Sequence, residues 1–135
     1  MDLNELSYKI IGAAIEVHRH LGPGLLESVY ETCLERELIC LGLRVEKQVS
    51  LPVTYKGEIV DAEGYRVDLM VADEVLIELK SVDKVKNVHK KQLLTYLKLS
   101  GKSLGLLINF NEQNLKEGVS RIVRGFDDSL WEVPR

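Results

Sequence analysis

Two strand-forming runs, "YRVDLMV" (Tyr65 to Val71) and "VLIELKSV" (Val75 to Val82), lie so close in the chain that each constrains the other's register. Joined by Ala72–Asp73–Glu74, they read as a hairpin. With that loop, Val71 faces Val75, Leu69 faces Ile77 and Val67 faces Leu79, which makes one face wholly apolar and able to carry a core. The opposite face sets Asp68 beside Glu78 and Arg66 beside Lys80. A two-residue loop would put Asp68 opposite Leu79 and mix the faces. Because a slip of one residue inverts burial, the odd-length loop is expected. Two carboxylates then stand about 5 Å apart at Cβ. Their repulsion is unfavourable unless a cation lies between them.

Around this hairpin the periodicity outlines an α/β order. "ELSYKIIGAAIEVHRHLG" has a helical stripe stopped by Gly22, with His18 and His20 at the end where a helix favours positive charge. After the break at Gly22–Pro23–Gly24, a second helix is expected from about Leu25 to Leu41, with Gly42 as its stop. "VEKQVSLPVTY" alternates as a strand, and Pro52 marks an edge or a bulge. The hairpin follows, then a third helix over about Val88 to Ser100 with Asn87 as its cap. The continuous apolar run "LGLLINF" (Leu104 to Phe110) reads as a buried strand, Asn111 to Lys116 as a turn, and "GVSRIVRGF" as a short last strand. Helix, helix, three strands, helix, strand implies a mixed central sheet flanked by helices.

Composition narrows the class. The chain of 135 residues suits one domain, 1–135, burying roughly two-thirds of its unfolded surface. No apolar run approaches the roughly 18 residues of a membrane span, and the first residues lack a signal-peptide pattern, so no membrane and a cytoplasmic setting are expected. Cys33 and Cys40, seven apart on a helix and so about 10 Å apart along its axis, cannot bridge, and without CxxC spacing they read as core thiols. The net charge of −3 does not advertise a nucleic-acid binder. Locally, however, Asp83 to Lys102 holds six lysines against one acid. Such a strip, with Lys84, Lys90 and Lys91 at its centre, suits a phosphate backbone, or a merely solvated helix face.

Asp68, Glu78 and Lys80 have the spacing D-x(9)-E-x-K. Paired carboxylates offer hard oxygen donors for Mg²⁺ or Mn²⁺, which can lower the pKa of a water nucleophile. Lys80, on the same face, would reach that water or the phosphate. A Glu78–Lys80 ion pair on a solvated face is equally compatible with the spacing.

Three motifs, in order, carry a resemblance to a known family. Gly24, Glu27 and Tyr30 in "GPGLLESVY" reproduce the name motif of the GxxExxY family, a branch of the PD-(D/E)XK nuclease superfamily. Asp68 followed by "ELK" resembles the superfamily core, although Val67 stands where its proline would be. Gln92 and Tyr96 in "QLLTY" match the QxxxY spacing of its recombination-type exonucleases. The resemblance implies a restriction-endonuclease-like core and a metal-dependent hydrolase acting on DNA. It implies Asp68, Glu78 and Glu27 as metal ligands, with the Leu79 carbonyl as a further donor. Lys80 would orient water or steady the phosphate, and Gln92 and Tyr96 would lie over the site. Tyr96 as plain core stays open, as does a phosphate contact from His89. Tyr30 is expected to pack and so to position Glu27. A homodimer would let such a short chain reach both strands. The competing expectation is a non-catalytic nucleic-acid-binding or assembly module on the same fold.

Overall fold

The computed structural model describes residues 1–124. Helices α1 (Leu3–Leu21) and α2 (Glu27–Cys40) precede β1 (Val45–Tyr55), β2 (Glu58–Val71) and β3 (Val75–Lys80). Then come α3 (Asn87–Ser100), β4 (Leu104–Asn109), a 3-10 turn (Leu115–Gly118) and β5 (Val119–Val123). Gly125 and Phe126, placed in the expected last strand, lie outside the described residues. The strands form one sheet in the order β1-β2-β3-β4-β5. Only β3 and β4 run parallel, and α3 makes the crossover that parallel neighbours require. The fold is therefore α/β with a mixed sheet, as the periodicity implied.

Each element starts and stops for local reasons. Asp2 caps α1 by accepting the Glu5 N–H at 2.8 Å, and Gly22, at φ 70°, ends it by donating to the His18 carbonyl. The cap of α3 differs from expectation. Lys86, not Asn87, is the capping residue, and its N–H donates to His89 Nδ1 at 3.1 Å. Burial first, then Lys80 and Lys86, hold the His89 imidazole below its usual pKa. His89 thus has a structural task at the helix start.

Both faces of the sheet are covered. On one side α1 and α2 bring Leu6, Ile10, Ala14, Tyr30, Leu34 and Leu38 against Leu69, Val71, Ile77, Leu79, Leu106 and Ile108. On the other, Leu93, Tyr96 and Leu97 of α3 pack on Val67, Met70, Leu76, Leu107 and Ile122. The apolar face expected of the hairpin is present at Leu69, Val71, Val75, Ile77 and Leu79, but Val67 lies on the other side. The opposite face, expected to be polar, is apolar at Met70 and Leu76 and becomes polar only toward its end. Cys33 is half-buried but Cys40 is exposed, so Cys40 is not the core thiol expected; both are free.

The hairpin register is the expected one, with Leu69 facing Ile77, Met70 facing Leu76 and Val71 facing Val75. The left-handed backbone of Ala72 (φ 54°) and Asp73 (φ 56°) closes the loop. Pairing stops at Leu69–Ile77, short of the expected Val67–Leu79 partners. The cause lies one step along. Val67 packs under α3 while Leu69 packs under α1 and α2, although residues two apart on a regular strand share a face. Strand β1 does the same: Val45 joins the first core and Val49 the second. The exchange occurs at Gln48, whose φ of 50° is left-handed, opposite Asp68. Both strands roll over at the Gln48–Asp68 step, and β2 peels away from β3.

Strand β1 is an edge, with irregular pairing around Leu51 beside Pro52, as that proline suggested. Strand β2 begins at Glu58, earlier than expected, so β1 and β2 form a long arm turned by Lys56 (φ 50°) and Gly57 (φ 84°). Positive φ at both central residues is the type I′ hairpin pattern.

Candidate functional site

Where β2 and β3 separate, two acidic side chains take over the bonding of the ladder. Glu78 Oε1 accepts the Asp68 N–H at 2.9 Å, and Asp68 Oδ2 accepts the Leu79 N–H at 2.8 Å. Each carboxylate is fixed by the other strand's backbone through one oxygen. Burial first, and the Asp68 carboxylate second, push Glu78 from the ordinary 4.5 up to about 7. The Asp68 N–H and Lys80 oppose that rise more weakly, and Glu27 adds to it. Lys80 is thus a minor attraction for Glu78, and no ion pair or hydrogen bond joins the two. A solvated Glu78–Lys80 pair is not what the structure has, since Glu78 is only 8% exposed.

Glu27 approaches from α2. The loop before it is clamped by Tyr30, fully buried, whose hydroxyl donates to the Gly22 carbonyl at 2.6 Å and accepts the Leu25 N–H at 3.1 Å. The Tyr30 ring stacks on Phe110 at 4.4 Å. Tyr30 is the packing residue expected. Glu27 Oε2 accepts the Ser81 N–H at 3.2 Å, and Ser81 Oγ donates to the Leu25 carbonyl at 2.7 Å. The start of α2 is thereby tied to the end of β3. As a first-turn acid, Glu27 also suits the helix dipole.

Helix α3 covers the pair from the other side. Tyr96 is buried, and burial, then Glu78 and Asp68, push its phenol up to about 12, so it carries its proton at neutral pH. Tyr96 is therefore both a core residue and a neighbour of the carboxylates. Gln92 and Lys91 line a groove with Tyr96. Lys84 is exposed and Lys90 half-buried, and no hydrogen bond or ion pair links either to the carboxylates. Lys102 leaves the basic strip to meet Asp73 at 3.3 Å.

Three residues of the site were not anticipated. Gln48 Nε2 donates to Glu31 Oε1 at 2.7 Å and, more weakly, to Asp68 Oδ1 at 3.3 Å. Glu31 is one helical turn beyond Glu27, and its carboxyl is raised, chiefly by burial. That i, i+4 spacing was the available signal. Asn109 is fully buried at the end of β4. Its Nδ2 donates to the Val82 carbonyl at 2.9 Å, and its Oδ1 accepts the Val82 and Asn111 N–H groups at 3.1 and 3.2 Å. A lone amide in "LGLLINF" was its only signature.

Among the described residues no three of His, Cys, Asp or Glu converge into a ready-made cation cage. The donor chemistry nevertheless fits a hard divalent ion: Asp68 and Glu78 repel each other, Glu27 repels Glu78 as well, and a cation would relieve this.

A helix-flanked mixed sheet, with an acid pair and a lysine where two strands part, is the arrangement of a restriction-endonuclease-like domain. A family model described as the PD-(D/E)XK nuclease superfamily matches residues 4–122, and the chain belongs to that superfamily. No curated protein and no solved structure matches the chain. Nucleases of this superfamily act on nucleic acids and typically use divalent metal ions. No helix among the described residues is long and apolar enough to cross a membrane.

Proposed function

We propose that this chain is a divalent-metal-dependent nuclease of the GxxExxY branch, hydrolysing phosphodiester bonds in DNA as one domain in the cytoplasm. The observation that carries the reading is the reciprocal bonding of Asp68 and Glu78, which holds two mutually repelling carboxylates at the parting of β2 and β3. Asp68 and Glu78, joined by Glu27, would hold Mg²⁺ or Mn²⁺. Bound there, the ion would supply Lewis-acid chemistry and a water of lowered pKa. Lys80 extends from the strand that carries Glu78, and its charge would orient a water or steady the phosphate there. Tyr96, protonated at neutral pH, and Gln92 donate hydrogen bonds over the site, and Lys84, Lys90 and Lys91 hold flanking phosphates. Two copies would reach the two strands of a duplex.

The test is cleavage of end-labelled single- and double-stranded DNA and RNA in Mg²⁺ or Mn²⁺. Asp68→Asn and Glu78→Gln should lose both metal binding and cleavage, whereas Lys80→Ala should keep the metal and lose cleavage. A wild-type protein that cuts no form and binds neither ion in calorimetry overturns the proposal.

A further inference from the structure

Beside the carboxylates a groove of about 280 Å³ opens between β2 and α3, lined by Tyr65, Val88, Lys91, Gln92, Thr95 and Tyr96. It lies just below the roughly 300–1,000 Å³ of sites that enclose whole small ligands. Tyr65, at its mouth, is 48% exposed although aromatic, and Val88 is 61% exposed. The Tyr65 ring meets the Tyr96 ring at 5.8 Å with a tilt of 41°.

A built feature of the backbone aims Tyr65 there. Leu51 faces both Gly64 and Tyr65, a bulge that puts one extra residue into β2. Gly64 is left-handed at φ 60°, and a Cβ on it would lie 1.9 Å from the Leu51 carbonyl oxygen. Only glycine fits. The bulge turns Tyr65 toward α3, three residues before Asp68 and so about 10 Å along the strand from it.

The walls suit a nucleotide. Lys91 supplies a cation and Gln92 an amide, and Thr95 Oγ1, which donates to the Lys91 carbonyl at 3.1 Å, keeps lone pairs to accept a bond. Farther out, the arm carries exposed Glu58, Asp61 and Glu63 together with exposed Lys56.

We propose that this groove seats one unpaired nucleobase, stacked on Tyr65, with its phosphate against Lys91. This rests on the nuclease reading and narrows the substrate class. A base stacked within a duplex cannot offer its face to Tyr65, so the site selects single strands, overhangs or frayed ends.

The experiment uses the full chain and single-stranded DNA carrying 2-aminopurine, with binding read in chelator and cleavage in Mn²⁺. Wild type and Tyr65→Phe should quench the 2-aminopurine. Tyr65→Ala should lose the quench and weaken single-strand binding about tenfold, with blunt-duplex binding unchanged. Tyr65→Leu, which keeps the bulk without the aromatic face, should behave as Tyr65→Ala and covers a failure of that variant to fold. If wild type cuts DNA but Tyr65→Ala and Tyr65→Leu bind single strands as wild type does, the base site is overturned and the nuclease reading stands. If wild type neither binds nor cuts any nucleic acid, both fall.

Discussion

Glu78 should make the metal-free protein less stable as pH rises, and its removal should therefore stabilise the fold. Its carboxyl is raised from 4.5 to about 7, mainly by burial and then by Asp68. Between those pH values the folded chain holds a proton that the unfolded chain releases. Stability is then highest below the unfolded value and is lost as pH climbs through about 7. The gap of about 2.5 in pKa, at about 1.4 kcal/mol for each tenfold, corresponds to roughly 3 kcal/mol. Glu78→Gln keeps an oxygen to accept the Asp68 N–H and removes the charge. In chelator at pH 8 the variant should be more stable than wild type by about 2–3 kcal/mol in urea unfolding, and at pH 5 the two should nearly coincide. Adding Mn²⁺ at about a hundred times its Kd should close that gap by stabilising wild type alone by about 2.7 kcal/mol. A Glu78→Gln protein that is no more stable than wild type at pH 8 refutes the claim that the pair carries an uncompensated charge.

Other residues make separable predictions. Gln48→Gly relieves a left-handed φ that costs a non-glycine residue about 1–2 kcal/mol, so it should unfold no more easily than wild type. It removes a weak bond to Asp68, however, and should bind Mn²⁺ about two- to fivefold less tightly in calorimetry. Asn109→Leu strands the Val82 backbone groups and should cost roughly 2 kcal/mol or more in denaturant. Tyr30→Phe keeps the stack on Phe110 but frees the loop before Glu27, costing about 1–2 kcal/mol and lowering the cleavage rate, read in parallel assays.

The hairpin was legible because apolar residues at period two leave only one register that buries a whole face, and that register is present from Val71–Val75 as far as Leu69–Ile77. The element order followed from glycine stops and changes of period. Less legible was everything that depends on a departure from regularity. Nothing in "VEKQVS" announces that Gln48 turns left-handed, yet that turn rolls both strands over and aims Asp68 across the gap to β3. The second apolar face is masked in the sequence because Met70 and Leu76 alternate with Asp68 and Glu78, and a mixed face reads as solvated until α3 is laid on it. Asn109 and the His89 cap are tertiary or cap-geometry features, invisible to spacing. Glu27 and Tyr30 stand in a motif, but the bonds that hold them run through Ser81, which carries no signal in the sequence, and Gly22, legible only as a helix stop.

The most direct test of a metal held by the carboxylate pair is anomalous diffraction from a crystal soaked in Mn²⁺. The expected result is a peak between Asp68 and Glu78, within about 2.0–2.5 Å of a carboxylate oxygen from each, that vanishes in Asp68→Asn. A saturated soak with no peak between them, or with peaks only elsewhere, would contradict it.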